Sequence, residues 1–266
     1  MILSGKEIAE SMYAELSQKY SALGREVKLG IVVVGENPVI ESFVKIKVRS
    51  AERLGIKMVR IDLPDTSTTE NVITTIQKLV NETDSVIAQL PMPKQVDTNA
   101  VLSSIPASHD VDALNPSISD DDRPVFAPVA LAVVELLKRG GVDPKGKKAV
   151  VIGGGRLVGA PSAHLLKRLG ASVSMVTLEQ GSLDELKEAD IGVLGAGNPG
   201  FIKPDMIKEG IALIDAGTSE SAGKIRGDAD PVCADKASVF TPVPGGVGPV
   251  AVAKIFENLL TLLQKR

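Results

Sequence analysis

The chain has 266 residues, 44% hydrophobic and 24% charged, which is enough for one large or two modest domains with real cores. A formal net charge of −3 excludes a basic field for nucleic acid and a polybasic membrane patch. One cysteine, Cys233, and two histidines, His109 and His164, exclude a disulfide framework and a cysteine- or histidine-built metal cluster. Residues 1–7 turn polar at once and no apolar run approaches the length of a membrane span, so a cytoplasmic, metal-free enzyme is expected.

Strand and helix patterns alternate along most of the length, which predicts an α/β fold with largely parallel sheets. Over residues 6–23, Ile8, Met12, Leu16 and Tyr20 fall about a helical turn apart, the mark of a helix with one apolar face. Residues 28–34 form a β-branched run that stops at Gly35-Glu36-Asn37-Pro38, a loop signal. A helix is expected over 42–54, closed by Gly55 just past its cap. Strands follow over 59–63 and 85–90, with a helix over 69–81 between them; the second strand ends in Pro91-Met92-Pro93. From 109 to 128 the chain is rich in Asp, Pro and Ser without any period, and long loops inside compact domains tend to be functional. A helix over 129–139 then leads past Gly140-Gly141 into a second α/β unit that begins at Lys148. Its expected strands are 149–152, 172–177, 191–194, 211–215 and 238–240, joined by helices over 160–169, 183–189 and 204–209 and followed by a last helix over 250–264.

Five features carry chemistry. Val150-Val151-Ile152 runs into Gly153-Gly154-Gly155-Arg156-Leu157-Val158-Gly159 and then a helix with Pro161 in its first turn. That strand–turn–helix context lets backbone N–H groups face a pyrophosphate, and it is a looser version of the dinucleotide fingerprint. A second turn, Gly195-Ala196-Gly197-Asn198-Pro199-Gly200, ends the 191–194 strand at the sheet edge where ligands bind. Two glycine turns that only close tight corners are the bland alternative. In the N-terminal half, Phe43 and Lys47 stand four apart on one helix face, and a lysine beside a ring can lose solvation and shift toward acid–base work. A helix lysine is more commonly a solvated surface charge. Gln89 is a polar residue at the end of an apolar strand. Asp110 and Asp112 emerge in the irregular loop, where a carboxylate can bind an amidine-like ligand edge or merely cap a turn.

Phe43-Val44-Lys45-Ile46-Lys47, Gln89-Leu90-Pro91-Met92-Pro93, Asp110-Val111-Asp112 and Thr241-Pro242-Val243-Pro244-Gly245-Gly246-Val247-Gly248-Pro249 occur together and in this order. In this the chain resembles the bifunctional methylenetetrahydrofolate dehydrogenase/methenyltetrahydrofolate cyclohydrolase family over almost its whole length. The resemblance implies two α/β domains flanking a cleft, the second a Rossmann-type parallel sheet. The folate-binding catalytic domain would comprise 1–128 plus 250–266, and the dinucleotide-binding domain 129–249. It implies a homodimer that oxidises 5,10-methylenetetrahydrofolate with NADP and then hydrolyses the methenyl product to 10-formyltetrahydrofolate. Lys47 would be the acid–base residue of the hydrolytic step, oriented by a hydrogen bond with Gln89. Asp112 would hold the pterin by its amino-pyrimidine edge, Phe43 would stack on it, and Gly246, Val247, Gly248 and Pro249 would close over the folate. Gly153, Gly154, Gly155, Arg156, Leu157, Val158 and Gly159, with Thr177, Gly197, Pro199 and Thr218, would line the dinucleotide.

The chain departs from the family where tyrosine is usual and Phe43 stands, and where glycine is usual and Ala113 stands. It departs again where His-Ser is usual and Thr177-Leu178 stand. Arg156 suits a 2′-phosphate and so NADP, whereas Glu179 suits a 2′-hydroxyl and so NAD. Two other readings stay open: a monofunctional dehydrogenase, motivated by Phe43, and a non-catalytic folate or nucleotide binder.

Overall fold

The computed structural model describes residues 1–177, 179–221 and 224–266; Leu178, named above with Thr177, lies outside them. The chain divides into two compact units, Ser11–Pro128 with Ile255–Arg266, and Met1–Glu10 with Val129–Lys254. Residues 1–10 therefore group with the second unit, not the first. The Leu3 N–H donates to the Phe240 carbonyl at 2.8 Å, and a Cβ on Gly5 would strike the Gly246 carbonyl.

The first unit holds most of α1 (Gly5–Ser21), then β1 (Val27–Val34), α2 (Pro38–Arg53), β2 (Ile56–Leu63), α3 (Thr69–Glu82), β3 (Ser85–Ala88) and α4 (Thr98–Ser103). Its sheet has the order β2-β1-β3, and every pairing is parallel. The central strand β1 is buried almost throughout, which is why its sequence reads as a continuous aliphatic run with no alternation. Val32, Val34, Val86 and Ala88 pack against Val72, Ile76 and Leu79 of α3 and Val101 and Leu102 of α4. Helix α2 starts four residues earlier than expected. Asn37 accepts from the Val39 N–H at 2.9 Å and Pro38 occupies the first turn, so the loop signal at 35–38 is the helix start itself. Gly55 follows the cap with φ +70°, the left-handed closure foreseen for it.

The second unit comprises α5 (Pro128–Arg139), β4 (Lys148–Ile152), α6 (Gly159–Arg168), β5 (Ser172–Val176), β6 (Ile191–Leu194), β7 (Ala212–Asp215), β8 (Ser219–Ser221), β9 (Lys224–Arg226), β10 (Val239–Phe240) and the first part of α7 (Val247–Gln264). Its five parallel strands run in the order β10-β7-β6-β4-β5. The segments expected as helices over 183–189 and 204–209 are short 3₁₀ turns, Leu183–Lys187 and Pro204–Met206. The antiparallel pair β8–β9 has no counterpart in the expectations. The view that no segment is long and apolar enough to span a membrane also needs correcting, because α7 passes on length and composition with a mean hydropathy of 1.2. Its apolarity serves the protein interior instead: Val250, Ala253, Phe256 and Leu259 are fully buried.

Candidate active site

In the first unit a helix, the residue after a strand and a loop bring three candidate side chains together. Lys47 sits three turns into α2. Gln89 directly follows β3, placed by its own N–H bond to the Val32 carbonyl at 3.0 Å. The Lys47 Nζ donates to Gln89 Oε1 at 2.8 Å, and the Gln89 Nε2 donates to the Leu90 carbonyl at 2.7 Å, so the amide is fixed from both ends. Both Lys47 and Asp112 keep some exposed surface, but their charged ends are surrounded by protein. Burial pushes the Lys47 ammonium below the ordinary lysine range, with the Asp112 charge acting the other way. Burial raises the Asp112 carboxyl, opposed by Lys47. Phe43 lies one turn before Lys47 with 44% of its surface exposed, a ring available to a flat ligand.

The irregular loop is held more firmly than its composition suggests. Val86 donates to the His109 carbonyl at 2.9 Å, which extends the parallel pairing to Asp110. Asp110 is buried, accepts from the Asn115 N–H at 2.8 Å, and has its carboxyl pushed up to about 6 by burial. The Asn258 Nδ2 of α7 donates to the Val111 and Phe126 carbonyls, both at 2.8 Å. Arg123 donates to the Ala113 carbonyl at 2.6 Å and to that of Asn115 at 2.8 Å. The carbonyls on either side of Asp112 are thus both anchored. Ala113 adopts φ +53°, a left-handed conformation that costs alanine energy and glycine little.

In the second unit the 153–159 turn closes backbone on backbone. Gly153 has φ +93°, and a Cβ on Gly159 would strike the Gly153 carbonyl. The turn is exposed from Gly154 to Leu157 and leads into α6, whose first residues carry no side-chain cap. A Cβ on Gly154 would meet Thr177 Cγ2 at 3.3 Å, placing Thr177 beside the turn. The 195–200 turn packs against the first, since a Cβ on Gly195 would run into Val158. This open, glycine-built cradle fits a bound dinucleotide. Gly197 and Pro199 are exposed on the second turn, and Thr218 is exposed beyond β7.

The four residues expected to close over a folate belong to this second unit. Gly246 and Val247 are buried, Gly248 is exposed and Pro249 half-buried; a Cβ on Gly246 would lie 2.7 Å from the Pro242 carbonyl. Sequence reasoning missed Arg123 and Asn258, described above, and the buried pair Asp215 and Asp228. Asp215 accepts from the N–H groups of Gly217, Asp228 and Ala229, and burial raises its carboxyl to about 6. Asp215 carries the same signal as Gln89, a polar residue closing an apolar strand, whereas nothing in the local pattern of Gly-Asp-Ala-Asp separates Asp228 from a surface turn.

Residues 3–112 match the catalytic-domain model of tetrahydrofolate dehydrogenase/cyclohydrolase, and residues 127–266 match that family's NAD(P)-binding-domain model. The chain belongs to the tetrahydrofolate dehydrogenase/cyclohydrolase family. It is 37% identical to a bifunctional protein FolD of Methanoculleus marisnigri, covering 97% of this chain and 94% of the relative. The solved bifunctional FolD from Campylobacter jejuni superposes with a TM-score of 0.93 at 32% identity, over 100% of this chain and 99% of that one. The Trypanosoma brucei FolD, solved with NADP cofactor and an inhibitor, also gives 0.93 at 32% identity, over 100% and 97%.

Proposed function

We propose that the chain oxidises 5,10-methylenetetrahydrofolate to the methenyl cation with NADP and then hydrolyses that cation to 10-formyltetrahydrofolate. The observation that carries this reading is the hydrogen-bonded Lys47–Gln89 pair beside Asp112, with burial lowering the lysine. Bound NADP supplies the acceptor for the hydride that leaves the bridging carbon. Asp112 takes the amino-pyrimidine edge of the pterin and Phe43 stacks on its face, which fixes the bridging carbon for both reactions. In the hydrolytic step the water oxygen bonds to the methenyl carbon while neutral Lys47 takes one water proton. Lys47 returns that proton to N5 as the carbon–N5 bond breaks, and the second water proton leaves to solvent as the formyl C=O forms. Gln89 keeps the amine aimed at that water. The 153–159 turn, Thr177, Gly197, Pro199 and Thr218 hold the dinucleotide.

The reading includes a homodimer in the cytoplasm. Strand β5 at the sheet edge pairs only with β4 among the described strands, which leaves one edge for a second copy. Light scattering should give twice the 27.8 kDa chain mass. The enzymatic reading is tested by supplying methylenetetrahydrofolate with NADP and NAD in parallel, and by following methenyltetrahydrofolate loss separately. Reduction of NADP together with hydrolysis above the spontaneous rate is expected. Reduction without hydrolysis would reduce the protein to a dehydrogenase, and neither activity would leave a binder.

A further inference from the structure

The two glycine turns of the second unit present opposite hydrogen-bonding faces. In the first, Gly153 donates to the Val176 carbonyl at 2.8 Å and Val158 to that of Gly155 at 3.3 Å. The N–H groups of Gly154, Gly155, Arg156, Leu157 and Gly159 find no acceptor among the described residues. In the second turn every N–H is committed. Gly195 donates to the Ile152 carbonyl at 2.9 Å and Gly200 to the Gly227 carbonyl at 2.9 Å, and Pro199 has none to give. The other three go to one side chain: Ala196 and Gly197 donate to Asp228 Oδ2 at 2.7 and 3.2 Å, and Asn198 donates to Oδ1 at 2.7 Å.

Asp228 is fully buried, and a Cβ on Gly217 would collide with its carboxylate, so the acid is sealed beneath the turn. Three peptide N–H groups drawn inward leave backbone carbonyls and the Asn198 side chain as what the turn can offer outward. A phosphate needs donors and meets here a buried negative charge. A group that itself donates hydrogen bonds meets the backbone carbonyls and the Asn198 Oδ1, and the Asn198 Nδ2 is the one donor left at the turn among the described residues.

Resting on the reading that this unit binds a dinucleotide, we propose that Asp228 is a positioning residue that divides the cofactor between the turns. The pyrophosphate goes to 153–159. The donors of the nicotinamide half, its carboxamide N–H₂ and ribose hydroxyls, go to the acceptor edge at 195–200. Ser219, whose Oγ donates to the Gly197 carbonyl at 2.7 Å, steadies that edge from the β8 side.

Two measurements test this on the full chain. Amide exchange followed by NMR on the unaltered protein should find 196–198 slow before any ligand is added. The probe 2′-phospho-ADP, which keeps the phosphates and lacks the nicotinamide half, should slow exchange at 154–157 and 159 only. Asp228→Asn removes the charge and turns an N–H₂ toward peptide N–H groups. It should weaken NADP roughly tenfold or more in calorimetric titrations, the size of a lost charge-assisted contact, while 2′-phospho-ADP affinity stays within about twofold. The proposal fails if 196–198 exchange as fast as 154–157 in the free protein, if 2′-phospho-ADP protects them, or if Asp228→Asn weakens both ligands alike. Should the variant not fold, the exchange data decide alone. Failure of the underlying reading looks different: NADP then binds nowhere on the unaltered protein.

Discussion

In the first unit the candidate site is made of side chains: Lys47, Gln89 and Asp112, each supplied by a different element. In the second unit it is made of backbone, N–H and C=O groups exposed because glycines leave out every Cβ. The first kind of site is erased by removing a few atoms from one residue, and the second by adding one carbon where none fits. The same strand-end geometry supports both, because parallel strands deliver loops to a common edge.

The sharpest test of this contrast is Lys47→Ala. It should lower methenyltetrahydrofolate hydrolysis by about 10²- to 10⁴-fold, the usual worth of a positioned acid–base group, with NADP affinity unmoved in the same preparation. Gly159→Ala is its mirror image. The added Cβ collides with the Gly153 carbonyl, so NADP-dependent oxidation should fall on the order of 100-fold, the scale of a reactant misplaced by about an ångström, with NADP titration showing the weakened binding. Equal loss of both functions in either variant would collapse the comparison.

The pH dependence sharpens it further. On the proposed mechanism hydrolysis uses neutral Lys47, so its rate should rise with pH through a midpoint below the ordinary lysine value of 10.5. On the same proposal folate is held by ionised Asp112, so on the acid side its affinity should fall through a midpoint above 3.8. NADP binding should follow neither transition. A pH–rate profile and folate titrations across the same range check both signs. The smallest effect concerns the loop backbone: Ala113→Gly should stabilise the protein by about 1 kcal/mol, read as a melting point about 2–4 °C higher.

The alternation of strands and helices was legible because buried parallel strands read as aliphatic runs and the helices carry long apolar periods. Lys47, Gln89 and Asp112 were legible through the motifs around them, and Gln89 also because a polar residue closing an apolar strand is out of place. The start of α2 was hidden because Asn37-Pro38 is at once a loop signal and a helix cap. Helix α4, the β8–β9 pair and the 3₁₀ turns are too short to establish a period. Arg123, Asn258 and Asp228 escaped for another reason. Each acts on backbone groups outside its own local pattern, Arg123 within its loop and Asn258 and Asp228 far along the chain. A polar side chain carries no sign of which carbonyl or N–H it will meet.

Asn258 shows what such distant bonds mean for the making of the protein. The Val111 carbonyl beside Asp112 waits for a donor 147 residues downstream. At typical synthesis speeds that interval is roughly ten seconds to half a minute. During it the emerging chain already carries Lys47, Gln89 and Asp112, with the 109–128 loop not yet tied. The loop around Asp112 is therefore finished by the arrival of α7, and a chain cut short before that helix carries the three side chains without the bonds that hold the loop.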